Sequence, residues 1–280
     1  MIITSKTNNI VKYIDSLKSK KYRNKYNKYV IEGIKMVEEI INSEGSAPEF
    51  IVYSREILEN ASIGGKILNH IEDLNFPKGT SIVEVSKEVF KVISDTESPQ
   101  GVLAVLDKNE MELKKLEDKL RNEKTEKYII LDKVQDPGNL GTIIRSCVGF
   151  NIKNIICIEG TVDAFSPKVT RSTMGGIRKV NIFTVKEDEI DEMIKHLKGN
   201  EYSIVTTALA AKKSVREETI DNKTIFVMGN EANGVSQKLL GNCDKKIKIP
   251  MEKELESFNV AVAASIVMYE QYIRGEESAC

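Results

Sequence analysis

An arginine placed one helical turn beyond a turn rich in glycine and asparagine is the most pointed chemical feature of this chain. In LDKVQDPGNLGTIIRSCVGF, residues 131–150, a short apolar strand meets the turn Asp136-Pro137-Gly138-Asn139, and a helix follows. Leu140, Ile143, Ile144, Cys147 and Val148 recur at helical spacing and give that helix a core side. Thr142, Arg145 and Ser146 fall opposite. A guanidinium held there suits a phosphate or a developing negative charge. A plain strand–turn–helix with a solvated arginine has the same pattern. IFVMGNEANGVS, residues 225–236, ends a buried-looking strand at Gly229 and continues into Asn230, Glu231 and Gly234. Ligands of open α/β sheets sit at the carboxyl ends of strands, and glycines let them approach the backbone. This loop is neither a dinucleotide fingerprint nor a phosphate loop. In IKIPMEKELESFNVAVAASIVMYE, residues 247–270, a strand stops at Pro250 and a long helix begins near Ser257 or Asn259, either of which can cap it. That helix is apolar nearly all round, so it is buried on most sides. Its small residues permit close packing, including against a second copy of the chain.

The elements that must position these residues form two regions. Strand-like runs at Tyr29–Glu32, Phe50–Tyr53, Ile82–Val85 and Gly101–Leu106 alternate with helical segments Ile34–Asn42, Gly64–Leu74 and Lys87–Ile93, giving a small α/β domain. Residues 108–127 read as a charged, helix-prone linker with few core-forming residues. Beyond it, strands are predicted at Tyr128–Leu131, Asn154–Ile158, Ser203–Thr207, Thr224–Met228 and Lys246–Ile249. Helices are predicted at Leu140–Val148, Lys168–Met174, Glu187–Leu197, Ser236–Leu240 and Phe258–Ile273. The alternation favours a mainly parallel sheet covered on both faces. The last residues, 276–280, are expected to fray.

Composition excludes several classes. The chain has 280 residues, 41% hydrophobic and 30% charged, enough for one large or two modest domains. No apolar run reaches the ~18–20 residues of a membrane span, and the N-terminus lacks the apolar core of a secretory signal. Cys147, Cys157, Cys243 and Cys280 form no C-x-x-C pair, and His70 and His196 are isolated, which argues against zinc. Such sparse thiols fit a reducing cytoplasm. The net charge of −1 excludes a globally basic nucleic-acid binder, but not local patches. Residues 1–35 concentrate Lys20, Lys21, Arg23 and six other cations around Tyr13, Tyr22, Tyr26 and Tyr29. That mixture can hold phosphates and stack on bases.

Taken in order, the three segments resemble the SpoU (TrmH-like) RNA 2′-O-ribose methyltransferases of the SPOUT class. The match is N-x-G-x-x-x-R at Asn139, Gly141 and Arg145, then G-N-E at Gly229, Asn230 and Glu231, then I-P-M…S-F-N-V-A-V-A-A from Ile249 to Ala264. Between them FSPKVTRSTMGG, residues 165–176, is similar to the family's S-P-K-x-x-R-x-S-x-G segment, and SPQGVLAV, 98–105, to its interdomain strand. Phe258 stands where leucine is usual, and Ala232 where glycine is common. The resemblance implies an α/β fold of two domains. One, residues 1–107, is an L30e-like module that binds substrate RNA. The other, 128–280, is a methyltransferase domain with a deep trefoil knot, which periodicity alone never suggests. It further implies S-adenosylmethionine as cofactor, a homodimer, and no metal. Carried over by motif position, Arg145 is the catalytic arginine, Asn139 organises the first loop and Glu231 the second. Leu209, Gly229, Ile249 and Phe258 border the cofactor, and Asn259 holds the knot loops. Lys168 and Arg171, with Lys20, Lys21 and Arg23, are candidates for RNA contact. Ribosomal RNA is preferred as target. Transfer RNA, a base nitrogen as acceptor, and a non-catalytic RNA-binding factor that keeps the fold stay open here.

Overall fold

Short apolar strands alternating with one-sided helices build both halves of the molecule. A computed structural model describes the chain apart from residues 1, 43–45, 62, 74–76, 123–125, 209–210, 253, 255 and 278–280. Leu209 and the end of the tail therefore lie outside the described residues. The chain divides into unit 1, Met1–Lys108 with Phe165–Gly175, and unit 2, Asn109–Ala164 with Gly176–Cys280.

Unit 1 runs α1 (Asn9–Ser16), α2 (Lys20–Tyr26), β1 (Lys28–Glu32), α3 (Ile34–Asn42), β2 (Phe50–Tyr53), α4 (Arg55–Glu59), α5 (Gly64–Glu72), β3 (Ser81–Glu84), α6 (Lys87–Ile93) and β4 (Val102–Asp107). Its sheet has the order β1-β4-β2-β3. It is mixed: β4 runs antiparallel to β1 and β2, while β3 is parallel to β2. Val11, Ile14 and Leu17 of α1 join Val89, Phe90 and Ile93 of α6 over Val52, Leu103 and Val105. Asn8 accepts from the Ile10 N–H at 2.9 Å and so starts α1.

Unit 2 runs β5 (Glu110–Glu112), α7 (Leu113–Asn122), β6 (Tyr128–Leu131), α8 (Pro137–Gly149) and β7 (Asn154–Ile158). The next helix, α9 (Pro167–Ser172), lies in the stretch that counts with unit 1. Unit 2 then resumes with β8 (Asn181–Val185), α10 (Ile190–Gly199), β9 (Ser203–Thr207), β10 (Lys213–Ser214), β11 (Thr224–Met228), α11 (Gln237–Leu240), β12 (Lys245–Lys248) and α12 (Val260–Glu277). Its eight strands, ordered β10-β12-β9-β11-β6-β7-β8-β5, are all parallel. Helices cover both faces, as an all-parallel sheet requires. On one side α7 and α10 pack on Tyr128, Ile130, Phe183, Ile204 and Val227. On the other, α12 lies against α8 and β11.

The segment 108–127 is not a linker. Leu113, Leu116 and Leu120 bring α7 into the core of unit 2, and β5 pairs with β8. Charges dominate the segment's composition, but three leucines at helical spacing suffice to anchor it. The strand β8 completes a sheet position that the sequence reading left out. Cys147 and Cys157 are buried free thiols, and burial pushes Cys157 up to about 12, so neither acts as a thiolate near neutral pH.

Candidate active site

The site grows from the start of α8. Asp136 is the residue that caps this helix: its carboxylate accepts from the Asn139 N–H at 2.8 Å, and Pro137 takes the first helical turn, where no N–H is needed. Asn139 thus sits inside the first turn, and its side chain is spent on other segments. Its Nδ2 donates to Glu231 Oε1 at 3.0 Å, and its Oδ1 accepts from Asn259 Nδ2 at 2.9 Å. Glu231 also accepts from the backbone N–H groups of Gln135 and Asp136, each at 3.3 Å. Asn259 in turn accepts from the Ala261 N–H at 2.9 Å, so it and not Ser257 starts α12. Three segments far apart in sequence are joined in one hydrogen-bonded chain, Asn259–Asn139–Glu231. Burial alone raises the Glu231 carboxyl, but the donors from Asn139, its own backbone, Gln135 and Asp136 outweigh that and hold it below the usual carboxylate range.

The loop after β11 folds flat on its own stem. Asn230 and Gly234 exchange backbone hydrogen bonds at 3.0 and 2.9 Å. A Cβ on Gly229 would lie 2.3 Å from the Gly234 carbonyl carbon, so only glycine fits there. Asn230 Oδ1 accepts from the Ala232 and Asn233 N–H groups, both at 3.0 Å, so alanine at 232 leaves the turn intact. The buried Asp132, at the end of β6, accepts from the Ser236 N–H at 2.6 Å and pins the far side of the loop.

A cavity of about 260 Å³ opens at these strand ends. Ala208, Gly234, Ile249, Phe258 and Ala263 give it apolar and small walls, and Lys248 adds a cation. Ile249 and Phe258, which the sequence reading assigned to the cofactor, both line this cavity. Gly229 does not line the cavity itself; it allows Gly234 to do so. Ala208 and Lys248 were not singled out from sequence, because a strand-end alanine and one lysine among the three of β12 carry no signal of their own.

Arg145 is exposed on α8 and makes no hydrogen bond or ion pair with a described residue. The neighbouring Ser146 shares a 2.8 Å hydrogen bond with Ser265 of α12, which fixes the helix that carries the arginine. The structure thus joins Asn139, Glu231 and Asn259 to one another, while Arg145 stands free on the solvent side of the same helix.

The proposed RNA-contacting residues divide. Lys168 is exposed on α9, and Arg171 there is held by Asp95 at 2.7 Å. Lys20 and Lys21 are exposed on α2, with Lys21 Nζ 5.9 Å from the Tyr22 ring, and Tyr22 stacks on Tyr26. Arg23 is a correction. It is 3% exposed, and its guanidinium donates to the Leu17 and Lys18 carbonyls at 2.7 and 2.6 Å. It closes the end of α1, where helix carbonyls lack partners, and does not face RNA. His196, isolated in the sequence, is half-buried and pairs with Glu117 at 2.9 Å.

An all-parallel α/β unit with a cavity at its strand-end loops, joined to a mixed α/β unit, defines a class of two-part enzymes. Residues 126–269 match the model of the SpoU rRNA Methylase family, and residues 8–104 that of an MRM3-like substrate binding domain. The chain is 31% identical over 273 residues to the 23S rRNA (guanosine(2553)-2′-O)-methyltransferase RlmP of Bacillus subtilis (strain 168), covering 98% of this chain and 99% of that one. It is 28% identical over 206 residues to the 23S rRNA (guanosine-2′-O-)-methyltransferase RlmB of Acinetobacter baylyi, covering 72% of this chain and 82% of that one. Among solved structures, the AdoMet-bound rRNA methyltransferase from Sinorhizobium meliloti superposes with a TM-score of 0.78 at 28% identity, covering 98% and 97% of the two chains. The chain belongs to the SpoU rRNA methylase family.

Proposed function

We propose that this protein transfers the methyl group of S-adenosylmethionine to a ribose 2′-hydroxyl of ribosomal RNA. The observation that carries this reading is the Asn259–Asn139–Glu231 chain, which ties the three motif segments beside the cavity lined by Ile249 and Phe258. The cavity suits the cofactor: its walls are largely apolar with Lys248 at one side, and Gly229 lets the loop fold so that Gly234 reaches the cavity wall, since a Cβ at 229 would strike the Gly234 backbone. Gly229, Ile249, Phe258 and Leu209 are the residues assigned to hold it. When bound, the cofactor supplies a sulfonium methyl that is already activated toward a nucleophile.

The chain's own residues have to deal with the ribose oxygen. A 2′-hydroxyl is a poor nucleophile near neutral pH. Arginine stays protonated in proteins, so Arg145 is not a general base. It aligns the 2′-oxygen and stabilises the charge that develops there while a neighbouring RNA phosphate or water takes the hydroxyl proton, help typically worth ~3–4 kcal/mol. Glu231 and Asn139 position α8 and the 229–236 loop; Asn259 does the same for α12. Lys168, Arg171, Lys20 and Lys21 hold RNA phosphates.

Three further readings belong to this proposal. The loop after β12 is threaded as a trefoil knot. Strand β12 lies beyond β9 from β11, yet α12 returns onto β11 and α8, so the intervening chain crosses back over the sheet end. Unit 1 is L30e-like and takes the RNA. The protein is a cytoplasmic homodimer, its contact made by α8 and α12, where Val262, Ile266 and Tyr269 line an apolar groove with Thr142.

The decisive experiment supplies the full chain with radiolabelled S-adenosylmethionine and unmodified 23S rRNA transcript. Label incorporated at a linkage that resists alkaline hydrolysis supports the proposal. Label on a base, at a linkage that still cleaves, overturns it, as does RNA binding without cofactor binding.

A further inference from the structure

A cavity of about 370 Å³ in unit 1 draws part of its wall from the 98–105 and 165–176 segments, to which no pocket has been assigned above. It falls in the size range of small-molecule sites. Met36, Ile63 and Met174 supply its apolar faces, with Lys35, Gln100 and Arg171 at its wall. Met174 is 51% exposed, which leaves a large, polarisable thioether at the opening.

The polar groups are preset. The Ile34 N–H donates to Gln100 Oε1 at 2.9 Å. That bond settles which way the amide points, and leaves Nε2, with its two N–H donors, bonded to no described residue. Gly33 makes the arrangement possible: it has φ +127°, and a Cβ there would lie 3.2 Å from both Gln100 Oε1 and the terminal methyl of Met36. The buried Glu32, also at the wall, is spent on other groups. It accepts from Ser94 Oγ at 2.7 Å, Thr96 Oγ1 at 2.9 Å and the Asp95 N–H at 3.2 Å. Arg171 is steadied by Asp95, and Lys35 has no partner among the described residues. Apart from hydroxyls, which turn either way, the unspent polar side chains at the wall are donors.

Apolar thioether and aliphatic faces, donors without acceptors and two cations match one ligand chemistry. We infer that this cavity receives a single unstacked RNA base bearing a carbonyl acceptor, guanine O6 or uracil O4, with Lys35 and Arg171 on the adjoining phosphates. The base slides between the methionines, and Gln100 Nε2 donates to its carbonyl. This gives unit 1 a means of choosing sequence as well as shape. It rests on the RNA methyltransferase reading above.

The test uses thio-substituted RNA, because 6-thioguanosine and 4-thiouridine carry their photoreactive sulfur in place of that oxygen. The full chain is irradiated with 23S rRNA transcripts containing either base, and crosslinked peptides are identified by mass spectrometry. Crosslinks to peptides holding Met36, Gln100 or Met174 are expected. Gln100→Leu is expected to raise KM for RNA about tenfold with kcat within twofold, the size of one lost base-edge contact. Lys35→Ala and Met174→Ala, which leave the Gln100–Ile34 bond in place, are expected to raise KM several-fold and to reduce crosslink yield. If wild type methylates the transcript, yet crosslinks map only elsewhere and Lys35→Ala and Met174→Ala keep wild-type KM, the pocket is overturned and the enzyme reading survives. If wild type neither binds nor methylates RNA, both fall. Tight binding of free guanosine monophosphate that RNA fails to displace overturns the pocket in favour of a metabolite site.

Discussion

Arg145 and Glu231 sit in the same unit, one bonded to no described residue and the other bonded to Gln135 and Asn139, and under the proposed function they should fail differently. Arg145 makes no bond with a described residue, so removing it leaves the fold and the cofactor cavity untouched. Arg145→Ala is expected to lower methyl transfer by about 10²–10³-fold, with S-adenosylmethionine affinity by calorimetry unchanged. An equal loss of both in a folded variant would overturn the assignment. Glu231 is a tie between loops. Its carboxyl is held below the usual range, so its contribution to stability is fully present above the unfolded pKa, about 4.3, and disappears as pH falls through the lower folded value. The difference in thermal stability between wild type and Glu231→Gln should therefore stay constant from pH 9 to about 5. It should shrink below about pH 4. A difference that grows on acidification would contradict the hydrogen-bond account. Arg23 shows the limit of reading residues by type: its charge belongs to the basic N-terminal cluster, but its guanidinium is committed to two carbonyls of the α1 terminus.

At the scale of elements, the Gly229 loop and α12 carry the site. Gly229→Ala places a Cβ 2.3 Å from a backbone carbon and 2.4 Å from the Val235 nitrogen, neither of which can swing aside as a side chain would. The variant is expected to keep its circular-dichroism spectrum while cofactor Kd rises at least about tenfold. On α12, Val262 is 46% and Tyr269 49% exposed beside the apolar groove. Val262→Asp should convert a dimer to monomers in light scattering; an unchanged mass would remove α12 from the proposed contact. Much of this layer was legible beforehand. Strands β2, β6, β7, β9 and β11 and helices α3 and α6 fall at the predicted residues, because each is an unbroken apolar run or a clear 3.6-residue stripe. The motif residues Asn139, Glu231 and Asn259 were legible too. Their mutual hydrogen bonds were not, since 92 and 120 residues separate the partners. Helix α7 was read only as part of a helix-prone linker, and its place in the core was missed, because its three leucines are outnumbered by charges. The cavity of unit 1 was missed because Gln100 and Gly33 gain their meaning only from being brought together.

At the scale of the whole molecule, the division between units does not follow the order of the sequence. Residues 165–175 complete unit 1: the Phe165 ring meets Tyr29 edge-on at 5.0 Å between centroids, and α9 packs on β1. Tyr29 is 2% exposed with that segment in place. A fragment of residues 1–108 is thus expected to bind a hydrophobic dye and to melt below the temperature at which unit 1 melts in the full chain. A fragment as stable as the intact unit would show that the segment is dispensable.

The same excursion sets a timetable for synthesis. When residue 108 leaves the ribosome, the first unit still lacks the piece that covers β1, and 56 further residues separate it from Phe165. By the time that piece emerges, β6, α8 and β7 have already been made. The usual order, in which an N-terminal domain finishes before the next begins, is therefore not expected for this chain. Its first unit stays open while the catalytic sheet is being laid down, so a translational pause between residues 108 and 165 would hold an unfinished, sticky edge exposed, and the two units must mature together.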